Sequence, residues 1–159
     1  MSIEIERRFL IKNNDWEKYI KYKSNIIQGY LSSNTESWIV RIRSENSLYK
    51  LTLKKHIHKA KNYEFEYEIP QTEGDLIISQ IKKTIIKDRF YLTFKDKEWI
   101  VDQFKGNNYP LEIAEVELDK INEQVNLPSF LSTEITGLKK FSNFELTNRP
   151  FSSWNKKIY

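Results

Sequence analysis

The chain has 159 residues, and 30% of it is charged, with 26 Lys and Arg against 22 Asp and Glu for a net charge of +4; that is the length of one domain, read as spanning 1–159, and too small a positive excess for a sequence-independent nucleic-acid binder. A 39% hydrophobic and 14% aromatic content argues against disorder, and the lack of Cys excludes disulfides, thiolate metal sites and a cysteine nucleophile. No stretch approaches the roughly 18 apolar residues of a membrane span, and the N-terminus has no signal-like apolar run, so a cytoplasmic protein is expected.

Alternation from Ile3 to Ile11 predicts a first strand. Asn13 and Asn14 break it, and Asp15 is placed as the cap of a short helix with Trp16, Tyr19 and Ile20 on one face. Four further strands are predicted over 25–31, 37–43, 48–54 and 62–69, with polar turns at 32–34 and 44–46. His56 and His58 fall in a Lys-rich turn on this reading. After Pro70, Thr72 and Asp75 read as a capping box opening a helix whose core face is Leu76, Ile77, Ile78 and Ile81. Strands resume over 84–94, 99–105 and 111–118, making eight, and the tail from Asp119 reads as a mixture of short helices.

Residues two apart in a strand share a face, ~7 Å from each other. Glu4, Glu6 and Arg8 do so, as do Arg41 and Arg43; Lys50, Thr52 and Lys54; Glu64, Glu66 and Glu68; Lys87 and Arg89; and Glu115 and Glu117. The opposite faces are apolar, as with Val40 and Ile42 or Leu51 and Leu53. A solvated sheet face would account for charge, but whole strands of a single sign repel locally unless a counter-charge is supplied. Clustered carboxylates suit a hard divalent cation, and clustered Arg and Lys suit phosphate oxygens. Together they describe a site for a polyphosphate with its metals.

These residues resemble the triphosphate tunnel metalloenzymes, the superfamily of class IV adenylate cyclase and thiamine triphosphatase. Glu4-Ile5-Glu6-Arg7-Arg8 is similar to its ExExK signature, with Arg8 in place of the final Lys. Gln28-Gly29-Tyr30, Val40-Arg41-Ile42-Arg43, Leu51-Thr52-Leu53-Lys54, Glu64-Phe65-Glu66, Lys87-Asp88-Arg89, the 99–104 segment and Ala114-Glu115-Val116-Glu117 follow in the family's order. The tail, with Glu134-Ile135-Thr136-Gly137, Phe141, Asn143 and the 149–154 end, looks like the compact bacterial triphosphatases.

The resemblance implies a β-rich α+β fold: an eight-stranded antiparallel barrel forming a tunnel, charged inside, with helices covering an apolar exterior. It implies that Glu4, Glu6, Asp102, Glu115 and Glu117 bind Mg²⁺ or Mn²⁺, two ions with substrate bound. Arg8, Arg41, Arg43, Lys54, Lys87 and Arg89 would contact the triphosphate, with Tyr30 beside them, and Glu4, Glu6, Lys54, Lys87 and Glu117 would carry the catalytic chemistry. The reaction implied is hydrolysis of inorganic triphosphate or an organic triphosphate, a small-molecule substrate with no nucleic acid or membrane partner. A cyclase making cyclic AMP and a non-catalytic polyphosphate or nucleotide binder stay open as alternatives, as does a homodimer. Glu64, Glu66 and Glu68 either orient water or balance the cations. His56 and His58 share a strand-like spacing, but their turn position speaks against metal ligation.

Overall fold

The computed structural model describes residues 2–32 and 37–154. Its strands are β1 (Ile3–Ile11), β2 (Ile20–Tyr30), β3 (Ile39–Glu45), β4 (Leu48–His58), β5 (Lys61–Ile69), β6 (Thr84–Phe94), β7 (Lys97–Phe104), β8 (Glu112–Glu117) and β9 (Leu131–Glu134). Helix α1 (Gln71–Ser79) separates β5 from β6, and α2 (Asn143–Asn148) follows β9. Short 3-10 segments occupy Asn14–Tyr19, Gly106–Asn108, Lys139–Phe141 and Phe151–Ser153.

The strands are hydrogen-bonded in the order β5-β4-β3-β2-β6-β7-β8-β1, and an antiparallel β1–β5 pairing closes the barrel. A strand has two edges, and β1 uses both. Residues 6–10 pair with β8, residues 3–5 pair with β5, and β9 pairs further along with Phe9 and Ile11. Arg7 clasps Glu134 with two hydrogen bonds, at 2.9 and 2.7 Å, which ties β9 to β1. Tight turns carry positive φ at Asn46 and Ser47 (48° and 69°) and at Lys95 and Asp96 (47° and 63°), the backbone that two-residue hairpins require.

Two apolar cores form, and they lie on opposite sides of the barrel wall. The outer core joins Ile5, Phe9, Trp99, Val101, Ala114 and Val116 to Trp16 of the first 3-10 segment and to Phe130 and Leu131. The second joins Ile85, Phe104, Leu111 and Ile113 to Ile135, Phe141 and Leu146, with Leu10 against it. Ile85 shares its strand face with Lys87, Phe104 with Asp102, Ile113 with Glu115, and Leu10 with Arg8. This second core therefore occupies one end of the bore, which α2 and the turn before it fill. The resemblance implies a charged interior, and apolar residues at that end make it a plug instead, each buried side chain contributing roughly 1.5–3 kcal/mol.

Several local expectations change. The 3-10 segment at Asn14–Tyr19 is capped by Asn13, whose side chain accepts from the Asp15 amide, rather than by Asp15. Ile20 opens β2 instead of ending a helix. The Thr72/Asp75 box does not form: α1 is preceded by Pro70 without a side-chain cap, and Asp75 accepts instead from the Tyr49 hydroxyl. α1 turns Gly74 onto the Tyr49 ring, where a Cβ would lie 2.2 Å from ring atoms, and leaves Leu76 64% exposed. β9 adds a strand within the tail read as helical, and β4 runs through His56 to His58, so the two histidines belong to a strand.

Candidate active site

The barrel register stacks the charged faces against one another. β3 faces β4 with Arg41 opposite Thr52 and Arg43 opposite Lys50, and β6 faces β7 with Arg89 opposite Asp102. Next to the plug, Asp102 is the hub of the basic group. Its carboxylate accepts from Lys87 Nζ at 2.6 Å and from Arg89 Nε and Nη2 at 2.7 and 2.8 Å, and neither Lys87 nor Asp102 is exposed. Burial opposes ionisation of Asp102, but Arg89 and Lys87 hold it well below the usual carboxylate range. Lys87 also donates to Asn143 Oδ1 of α2 at 3.2 Å. Burial, with Arg89 and Arg43 nearby, lowers its ammonium to about 7 against the pull of Asp102 and Glu115.

Arg8 reaches in from β1. Its Nε donates to Glu115 at 3.0 Å and its Nη1 to the Phe141 carbonyl at 3.2 Å, so one guanidinium bridges the barrel and its plug. Glu115 also lies 3.6 Å from Arg89. The remaining nitrogen of Arg8, Nη2, is buried without a hydrogen-bond partner among the described residues, as is Arg41 Nε. Arg41 does bond Thr52 at 2.9 Å and lies 3.7 Å from Glu66. Arg43 has no carboxylate within 4 Å among the described residues; its Nε donates to Gln28 at 3.2 Å, and Gln28 donates onward to the Tyr30 hydroxyl at 2.9 Å. Burial and the like charges of Arg41 and Arg89 lower the Arg43 guanidinium to about 10. Burial likewise raises the Tyr30 phenol, keeping it a neutral hydroxyl. Buried guanidinium groups with spare donors and mutual repulsion form a site short of an anion.

The acidic group gathers where β1 meets β5 and β8. Glu6 is opposite Glu117 in the β1–β8 ladder, and Lys54 of β4 is opposite Glu64 of β5. Lys54 bonds Glu4 and lies 3.2 Å from Glu64 and 3.8 Å from Glu6. Burial opposes the Lys54 charge, but Glu6, Glu4 and Glu64 hold the ammonium well above its ordinary range. One ammonium does not satisfy three carboxylates. Burial and Glu6 push Glu4 up to about 7 despite Lys54, and burial with Glu6 and Glu64 raises Glu117.

The twelve residues expected at the site thus separate into two groups with different surroundings. Arg8, Arg41, Arg43, Lys87, Arg89 and Tyr30 converge with Asp102 and Glu115 on the basic side, while Glu4 and Glu6 converge around Lys54 and Glu117 stands opposite Glu6. Asp102 and Glu115 spend their oxygens on cations. Gln28 and Asn143, which carry part of the resemblance without an assigned role, join the site, as does Asn62, which the sequence reading does not assign to it. Gln28 lies on the inward period of Tyr30 and Asn62 on that of Glu64, a parity visible in the sequence; Asn143 enters only through the plug.

A divalent cation, which the resemblance implies, fits the acidic group by donor chemistry. Glu4, Glu6, Glu64 and Glu117 are hard carboxylate donors, Glu4 and Glu117 are held above their ordinary carboxylate range, and Glu4 Oε1 receives no hydrogen bond among the described residues. Glu4, Glu6 and Glu64 turn toward Lys54, and no three acidic or imidazole groups among the described residues are gathered tightly enough to enclose an ion.

No protein-family model matches the chain. It is 31% identical to an inorganic triphosphatase of Acetivibrio thermocellus over 98% of this chain and 100% of the relative, and 29% identical to an inorganic triphosphatase of Nitrosomonas europaea over 88% and 93%. A crystal structure of an inorganic triphosphatase superposes with a TM-score of 0.68 at 26% identity, covering 92% of this chain and 95% of that one. An adenylyl cyclase-like chain from Hippeastrum, described as having a dominant triphosphatase activity, shares the fold at a TM-score of 0.56 and 13% identity over 76% and 80% of the two chains. By whole-length identity, barrel topology and the paired charge groups inside it, the chain belongs to the inorganic triphosphatases of the triphosphate tunnel metalloenzyme superfamily.

Proposed function

We propose that this triphosphatase hydrolyses inorganic triphosphate inside the barrel, releasing orthophosphate and pyrophosphate. The observation that carries the reading is the buried basic group, in which, among the described residues, Arg8 Nη2 and Arg41 Nε lack acceptors and Arg43 lacks a carboxylate. Phosphate oxygens satisfy those donors, each charge-assisted hydrogen bond contributing roughly 1.5–3 kcal/mol. Arg8, Arg41, Arg43 and Arg89 hold the chain of phosphates, with Lys87 and Lys54 supplying further positive charge and the Tyr30 hydroxyl beside them.

Glu4, Glu6 and Glu117, with Glu64 at their edge, are the residues that would hold a divalent ion, Mg²⁺ or Mn²⁺. Such an ion supplies charge neutralisation at the phosphate oxygens and a lowered pKa for a water molecule. Asp102 and Glu115 orient the cations they already bind. In the reaction the water oxygen forms a bond to the terminal phosphorus as the bridging P–O bond breaks, and pyrophosphate leaves with that bond's electron pair. The guanidinium groups stabilise charge on the transferring and leaving oxygens. The plug confines the substrate to the remaining bore.

Purified protein incubated with inorganic triphosphate, ATP or thiamine triphosphate, each with Mg²⁺, Mn²⁺ or chelator, tests this. Orthophosphate and pyrophosphate formed fastest from inorganic triphosphate, and only with metal, are expected. Cyclic AMP and pyrophosphate from ATP would make it a cyclase, and tight binding without turnover would make it a sensor.

A further inference from the structure

Three side chains stand in a row across three strands at the point where the barrel closes. His56 of β4 is the register partner of Asn62 of β5, and Asn62 is the register partner of Glu4 of β1. Direct cross-strand neighbours place their side chains on one face. Contacts follow that row: His56 Nδ1 lies 3.1 Å from Asn62 Oδ1, and Asn62 Nδ2 donates to Glu4 Oε2 at 3.2 Å. Because an amide oxygen can only accept, His56 Nδ1 is the donor. Asn62 is 8% exposed, whereas His56 is on the outer, solvent-accessible end of the row.

Lys54 and Asn62 both bind the same oxygen of Glu4, Oε2. A carboxylate held by two donors on one oxygen has its rotation about the last bond stopped. The other oxygen, Oε1, receives no hydrogen bond among the described residues. An Asn whose amide could flip would present its oxygen to Glu4 and repel it. The His56 N–H selects against that flip, because it requires an oxygen where the flipped amide would put an NH₂ group.

We infer that Asn62, locked by His56, is a positioning residue that fixes the Glu4 carboxylate with one oxygen free for a divalent cation. This rests on the proposed metal-holding role of Glu4 and assigns the histidine pair's first member a place in the site: His56 acts through an amide, two residues removed from any bound ion, and is not itself a ligand. Outer partners of this kind orient ligands, and their loss typically weakens metal binding about 10- to 100-fold.

The test is Mn²⁺ titration of the full chain, followed by the loss of the free-ion electron paramagnetic resonance signal, beside steady-state hydrolysis of inorganic triphosphate. Asn62→Ala is expected to weaken Mn²⁺ binding by about tenfold or more, with KM for triphosphate unchanged at saturating Mn²⁺. His56→Ala should weaken it by a smaller factor, and His56→Gln, which keeps an N–H donor, should restore it. In the double variant His56→Ala should add less than about twofold to Asn62→Ala, because it acts through the residue already removed. Mn²⁺ affinity of Asn62→Ala within about twofold of the parent, or a full His56→Ala effect in the Asn62→Ala background, would overturn the inference alone. His56→Ala changes an exposed side chain, so the series survives should Asn62→Ala fail to fold. A parent chain that hydrolyses triphosphate without binding Mn²⁺ or Mg²⁺ would overturn the metal-holding role of Glu4 and the inference with it.

Discussion

Lys87 Nζ lies 2.6 Å from Asp102 Oδ2, with both side chains wholly withdrawn from solvent. Arg89 binds the same carboxylate through two nitrogens, so a single anion serves two buried cations. Asp102→Asn keeps the shape and removes the charge. It is expected to destabilise the fold by about 3–5 kcal/mol, the usual cost of stranding buried charge, read from denaturant unfolding. A loss under about 1 kcal/mol would show that neighbouring carboxylates already balance the two cations.

Arg43 presents the opposite case. It is buried, repelled by Arg41 and Arg89, and among the described residues its side chain is bonded to a neutral amide. Arg43→Met, which keeps an apolar stem, should leave the melting temperature unchanged or raise it. The same change should lower kcat/KM for inorganic triphosphate by about 100-fold or more, as removal of one transition-state donor does. Parallel losses of stability and activity would mean that the residue is structural.

Arg8 stands where the family signature has Lys, and the structure gives the guanidinium two tasks at once. It bonds Glu115 with Nε and the Phe141 carbonyl with Nη1. An ammonium is a point charge and cannot make that forked contact. Arg8→Lys is expected to lower stability by about 1–2 kcal/mol through the loosened plug, measured by thermal unfolding, with reduced triphosphate turnover. Unchanged melting would detach Arg8 from the plug.

On the outside of β6, Asp88 lies 2.8 Å from both Lys23 and Lys105. Burial raises its pKa, but hydrogen bonds from Lys105 and Lys23 outweigh that and leave it below its ordinary value. The unfolded chain therefore takes up this proton first as pH falls. The stabilisation is present above the unfolded value near 3.8 and is lost as pH drops through the folded one. Asp88→Asn should cost about 1 kcal/mol at pH 7, discounted for the exposed lysines, and should narrow its gap from the parent in acid and in 1 M salt. A gap that persists at pH 2 would point to packing instead.

Much of this was legible in the chain because a strand has period two. The alternation of Glu4, Glu6 and Arg8 with Ile3, Ile5 and Phe9, or of Arg41 and Arg43 with Val40 and Ile42, assigns inward and outward faces without any knowledge of neighbours. The capping box at Thr72 and Asp75 misled because Tyr49, 26 residues earlier, competes for the Asp75 carboxylate. The strand at 131–134 escaped because four residues carry little periodicity, and its formation depends on Arg7 and the free edge of β1.

Matched totals of 26 cations and 22 anions, sorted into single-signed strand faces, were determined by the sequence itself, since alternation is a local property of extended backbone. Which cation meets which anion was decided only by tertiary structure. The β1–β5 closure sets Glu4 beside Asn62 and within reach of Lys54, while the β6–β7 register sets Arg89 opposite Asp102. Partners 50 residues apart in the chain, such as Glu4 and Lys54, are selected by register and barrel closure. The plug at one end of the bore adds Asn143 and the Phe141 carbonyl on the same terms, because a contact across a closed barrel leaves no periodic trace in the sequence.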